Sequence, residues 1–108
     1  MTKWTSERLD ALAGALVAGP HVAALSEGPF GTVAAYLPGR RIPGLRVLPD
    51  DRVDVHVVMA WGSTVDDVEA GVLREFDDPS ELGHLVIEDV ALPSTPSRAL
   101  AGGARKAQ

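Results

Sequence analysis

The chain has 108 residues, a formal net charge of −5 and no cysteine. This length favours one domain with a modest core, and the 45% share of hydrophobic residues is typical of a folded protein. The acidic balance disfavours general binding to nucleic acid or anionic lipid, and the lack of cysteine excludes a disulfide framework and a thiolate zinc site.

The first predicted element is a helix over residues 5–18, because apolar residues recur there at helical spacing. Thr5 or Ser6 can cap its start, and Gly19-Pro20 ends it. The predicted apolar stripe consists of Leu9, Leu12, Ala13, Leu16 and Val17.

The segment "GPFGTVAAYLPGRRIPGLRV", residues 28–47, predicts a strand, an arginine-bearing loop and a second strand. Pro38-Gly39 and Pro43-Gly44 bracket Arg40 and Arg41, and the two Pro-Gly pairs can make the turn without charged residues between them. We therefore expect both arginines to be free to contact carboxylates, on a partner protein or on another copy of the chain.

The clearest predicted strand is "RVDVHVVMAW", in which alternate residues from Val53 to Trp61 share one face. Ser63 or Thr64 then caps a helix that runs through Phe76 with Val65 among its inward residues. A last strand, "HLVIEDVAL", is expected to lie parallel to the first, since a helix connects the two.

These elements predict an α+β domain over residues 1–92, in which two helices pack on one face of a small mixed sheet of three or four strands. Residues 93–108 have little to bury and are expected to form a flexible tail.

No motif in the chain predicts catalysis, a cofactor or a metal. Asp54 and His56 lie two positions apart on one strand face and form at most half of a metal or acid/base pair. The serines lack a nucleophile elbow, and the glycine-rich stretches match neither a dinucleotide fingerprint nor a phosphate loop. We therefore expect a protein that is not an enzyme.

An alternative function is nucleic-acid binding, in which Phe30 and Tyr36 beside the arginine loop stack on single-stranded bases. Core packing is the expected role of both aromatics, because the chain has only five. Residues 63–92 carry nine acids against one arginine, which further disfavours nucleic acid and instead offers a negative face for self-association.

The order of motifs resembles the alkaline shock protein family of bacterial envelope stress response proteins, in the form found in high-GC bacteria. The matching pieces are the first helix with "GPHVAALSEGPFG", then "GTVAAYLPGRRIPGLRV", "VDVHVVMAWG", "TVDDVEAGVLREF" and "LVIEDVAL", which together cover residues 6–92.

The resemblance implies a cytoplasmic, non-enzymatic scaffold or adaptor that supports cell-envelope homeostasis under stress. Some members of that family gather at the membrane through a separate membrane-anchored partner, so membrane association is expected through a partner and not by direct insertion. The hypothetical partner-binding residues are Arg40, Arg41, Phe30 and Tyr36.

Overall fold

The computed structural model describes residues 3–92, so the tail predicted over residues 93–108 lies outside it. The elements are helices α1 (Ser6–Ala18) and α2 (Val65–Leu73) and strands β1 (Val22–Leu25), β2 (Ala34–Leu37), β3 (Arg40–Pro43), β4 (Leu45–Val47), β5 (Val53–Met59) and β6 (Leu82–Val90). A 3₁₀ turn, Pro79–Glu81, precedes β6. The predicted α+β class is confirmed: the described chain has two helices, a mixed four-stranded sheet and a separate two-stranded hairpin.

Strand β5 is the centre of the four-stranded sheet. β6 pairs with it in parallel along its whole length, as the strand-helix-strand pattern predicted. β4 pairs antiparallel with the first half of β5, and β1 pairs antiparallel with the second half. Because a strand has only two edges, β1 and β4 share the edge of β5 opposite β6.

The core lies between this sheet and both helices. Alternate valines of β5 are completely buried and point to one face of the sheet. They belong to one apolar cluster with the leucine stripe of α1 and with Val68 and Val72 of α2, so both helices cover the same face. Neither helix among the described residues has the length and apolar character that a membrane span requires.

Side-chain caps begin both helices where the sequence predicted. The Thr5 hydroxyl accepts a hydrogen bond from the Arg8 amide at 3.1 Å. Thr64 and Asp67 form a capping box, with each side chain accepting from the other residue's amide at 3.1 Å. The hydrogen bond from the Thr64 amide holds the pKa of Asp67 below its ordinary value.

Four details of the predicted helices and core are wrong. Helix α2 ends at Leu73, although Phe76 is still buried and meets the Trp4 ring edge-on at 5.9 Å between centroids. Trp61 is exposed because the chain turns after β5, where the Ser63 amide bonds to the Ala60 carbonyl, and the alternation stops. Val65, the first residue of α2, is also exposed instead of inward-facing, and so is Val17 of α1.

Candidate functional site

The two arginines predicted to lie in a loop lie on strand β3 instead. Leu37 of β2 pairs directly with Arg40, so Pro38 and Gly39 alone form the turn of the hairpin. Gly39 has a φ of 76°, the left-handed value that a type II turn requires after proline. The loop prediction was wrong because the first Pro-Gly pair is sufficient to reverse the chain.

Both arginines already have carboxylate partners within the chain, so the prediction that they are free was also wrong. The Arg40 guanidinium donates to both oxygens of Asp10 on α1, at 2.8 and 2.5 Å. Arg41 donates to Glu27 in the loop before β2, and this hydrogen bond is the main cause that raises the pKa of Arg41. All four side chains are roughly half exposed, so these pairs bind weakly and can exchange with other carboxylates.

A groove bounded by α1, β1 and β3 is lined by both arginines. The helix contributes Ala13, Gly14 and Val17 to the lining, and β1 contributes residues 23–25. A methyl group built on Gly14 would meet no atom within 4 Å, so the groove is open above the helix. Apolar residues therefore form most of its surface, with the two cations on the β3 side and Asp10 on the α1 side.

Strands β1 and β3 each present an unpaired edge beside this groove. Within residues 3–92, β1 pairs only with β5 and β3 pairs only with β2. The strands converge at Gly44, where an added Cβ would lie 2.6 Å from the Leu25 Cβ. Unpaired strand edges can hydrogen-bond an added extended chain, so the groove has the backbone groups, apolar surface and charge to hold an acidic peptide segment.

The two aromatics named with the arginines are exposed, contrary to the expected core packing: Phe30 is 85% exposed and Tyr36 is 72% exposed. Phe30 lies in a turn that the Gly31 amide closes onto the Gly28 carbonyl, away from the sheet core. Tyr36 is the cross-strand neighbour of Arg41 but lines a different depression. The structure thus places the two arginines together in one groove and leaves both aromatics outside it.

Two histidine–carboxylate pairs cross from β5 to β6 on the sheet face opposite the helices. His56 does not pair with Asp54; its Nδ1 lies 2.6 Å from Glu88 Oε2. Asp54 is buried and accepts from both the backbone amide of His84, at 2.8 Å, and its ring, with Nδ1 at 2.9 Å. Spacing along β5 alone missed these pairs because they depend on the register between β5 and β6.

A third histidine, His21, lies with its Nδ1 2.8 Å from the Ser63 hydroxyl. This contact joins the α1–β1 connection to the cap region of α2. In the described part of the chain no carboxylate hydrogen-bonds His21, so the pair lacks the orienting acid of a catalytic triad. Nor do residues 3–92 contain a group of three or more histidine or carboxylate side chains that could hold a metal ion.

No protein-family model, no curated protein and no solved structure matches this chain.

Proposed function

We propose that this protein is a non-enzymatic adaptor that binds an extended, acidic segment of a partner protein in the α1–β1–β3 groove. The observation that carries the proposal is the combination of two unpaired strand edges, a lining of small apolar residues and the Arg40–Arg41 pair in one groove. An extended segment would hydrogen-bond a strand edge, and its carboxylates would replace Asp10 and Glu27 on the arginines.

The cellular role that we propose is support of the bacterial cell envelope under stress. The support for this role is the resemblance of residues 6–92 to the alkaline shock protein family. In this role the protein acts in the cytoplasm and reaches the membrane only through a partner that is itself membrane-anchored.

The exchange of carboxylates on the arginines costs little. Exposed ion pairs contribute about 0.2–1 kcal/mol, so breaking the Arg40–Asp10 pair is a minor penalty when the guanidinium gains an equivalent partner. Before a segment binds, the intramolecular pairs orient both guanidinium groups at the groove. Backbone pairing then supplies affinity, and the charge and width of the groove supply specificity.

The test separates the charge of the groove from its shape. Arg40→Ala with Arg41→Ala removes the cations, and Gly14→Leu places a large side chain in the open space above α1. Gly71→Leu is the matched control, because an added Cβ at Gly71 on α2 also meets nothing within 4 Å but lies outside this groove. Each variant and the wild type are used to capture partners from a lysate of the source bacterium, at low and high salt.

We expect the wild type and Gly71→Leu to capture the same envelope-associated protein in a salt-sensitive manner, and both groove variants to lose it. That protein is then confirmed by titrating a synthetic peptide of its acidic segment against the purified chain. Equal capture by all four proteins would contradict the groove proposal.

The exposure of Phe30 and Tyr36 favours a second candidate, a nucleic-acid-binding module in which both rings stack on bases. A fluorescent single-stranded oligonucleotide distinguishes the two functions. Binding that Phe30→Ala with Tyr36→Ala abolishes, and that Gly14→Leu does not change, would support this second function over the adaptor.

A further inference from the structure

We propose that the outer edge of β6 pairs with the same edge of a second copy of the chain, in antiparallel register centred on Val86. β6 has nine residues, and within residues 3–92 its only paired neighbour is β5. Its other edge therefore carries unpaired backbone groups over a long strand, a feature that soluble proteins usually cover or shorten. This inference is independent of the groove and of the proposed adaptor function.

The helix layer does not cover this edge. A depression lined by Val65 and Glu69 of α2 runs beside β6 residues 82–87. Leu85 and Ile87 pack against the core from one side and remain partly exposed on this side. A partner that adds a strand here would cover both side chains with its own.

The sequence of β6 is complementary to itself when it is reversed. An antiparallel pair centred on Val86 places Leu85 opposite Ile87 of the other copy, so apolar residues meet apolar residues in the regular part of the strand. It also places His84 opposite Glu88. Cross-strand pairs of this kind are the elements that stabilise antiparallel sheets.

Charge selects this arrangement over the parallel one. His84 and Glu88 lie on the sheet face opposite the helices, where each already contacts a β5 side chain, Asp54 or His56. In the antiparallel pair these side chains form one row that crosses the seam, the boundary between the two β6 strands. Carboxylates and imidazoles alternate along this row. A parallel pair would instead place Glu88 and Asp89 beside the same acids of the other copy, which is repulsive.

The regular part of β6 also matches this centre. The register between β5 and β6 shifts near each end of β6, whereas Leu85, Val86 and Ile87 pair regularly with β5 residues 55–57. The seam is thus straightest at Val86, where the two-fold axis would pass. A strand with this symmetry fits a second copy of itself better than an unrelated peptide.

A single introduced cysteine tests the pairing, because the natural chain has none. Opposed residues in an antiparallel pair have Cα atoms about 4.5–5.5 Å apart, within the range that a disulfide spans. Val86→Cys in the full chain should therefore form a disulfide-linked dimer under mild oxidation. Ala70→Cys, on the exposed side of α2, is the matched control and should remain monomeric under the same conditions.

Sedimentation equilibrium of the cysteine-free chain provides the second measurement. The wild type should show a concentration-dependent dimer, and Val86→Glu, which would face the same glutamate of the other copy, should raise the dimer dissociation constant about tenfold. Thr32→Glu adds the same charge on an exposed residue away from β6 and should leave the constant unchanged.

Four outcomes would overturn the proposal. They are a wild type that is monomeric at every concentration, equal cross-linking of Val86→Cys and Ala70→Cys, and equal dimerisation of the two glutamate variants. The fourth is cross-linking at Val86 only after deletion of residues 93–108, which would assign the edge to the chain's own tail.

Discussion

Replacing glycine by alanine at three positions tests the packing of the strand junction, with Gly44 as the critical site. Gly44 lies between β3 and β4; its amide bonds to the Val33 carbonyl at 2.8 Å and its carbonyl accepts from His56 at 2.9 Å. Its φ of 87° is in the left-handed region, and an added Cβ would lie 2.6 Å from the Leu25 Cβ and 3.1 Å from the His56 carbonyl oxygen. The first distance is too short for any Cβ contact and the second is tight, and neither atom belongs to the far end of a flexible side chain.

The two control positions separate the causes of destabilisation. Gly39 also has a positive φ, 76°, but an added Cβ there meets nothing within 4 Å, so Gly39→Ala measures backbone strain alone, about 1–2 kcal/mol. Gly44→Ala adds overpacking of about 1–3 kcal/mol, for a total loss of about 2–5 kcal/mol. Gly14→Ala in helix α1 has neither penalty, and it should stabilise the protein by about 0.5–1 kcal/mol because alanine is the better helix former.

Urea unfolding followed by circular dichroism measures all three free energies of unfolding. We expect the order Gly14→Ala, wild type, Gly39→Ala, Gly44→Ala, from most to least stable. A Gly44→Ala protein as stable as Gly39→Ala would refute the close approach of β1 to the β3–β4 junction. That result would also contradict the convergence of β1 and β3 at Gly44, which closes one end of the groove between α1, β1 and β3.

Three further predictions concern the core, acid stability and the tail. Val55→Asp should prevent stable folding, since it puts an unpaired charge at a fully buried position, and circular dichroism would show the lost structure. The hydrogen bond from Lys3 is the main cause that holds the pKa of Glu81 below its ordinary value of 4.5, so this contribution to stability is complete above that pH and is lost as pH falls. Lys3→Met should therefore lose less free energy of unfolding than the wild type as the pH falls below about 5; an identical acid-side slope would contradict this cause. Deletion of residues 94–108 should leave the melting temperature nearly unchanged, and a large decrease in calorimetry would show that these residues are docked.

The features that could be predicted from the sequence are those that depend on neighbouring residues. Alternating valines predicted β5, and the complete burial of Val53, Val55 and Val57 agrees with that pattern. The capping residues Thr5 or Ser6, and Ser63 or Thr64, predicted the helix starts because a cap needs only an oxygen three residues before an amide, and in the structure Thr5 and Thr64 make these caps. The parallel pairing of β5 with β6 followed from the helix between them.

The features that were missed depend on residues distant in the chain. Arg40 meets Asp10 across 30 positions, and His84 meets Asp54 across the same separation, so no local pattern could reveal either pair. The exposure of Phe30 likewise follows from a tight turn at Gly28 and Gly31, which composition alone does not indicate. The pattern of elements predicted the correct fold class, whereas the predicted environments of the aromatics and arginines were wrong.

The two proposed contact surfaces lie on opposite sides of β5, and this arrangement makes them compatible. β6 occupies one edge of β5, whereas β1, which borders the groove, occupies the other. A dimer formed through β6 would therefore leave both grooves open and carry them at its two outer ends. Two weak sites on one particle bind a clustered partner more tightly than either site alone, because the second contact becomes intramolecular. An adaptor with exchangeable, half-exposed arginine contacts would gain affinity from this arrangement only where its partner is concentrated, as on a membrane surface.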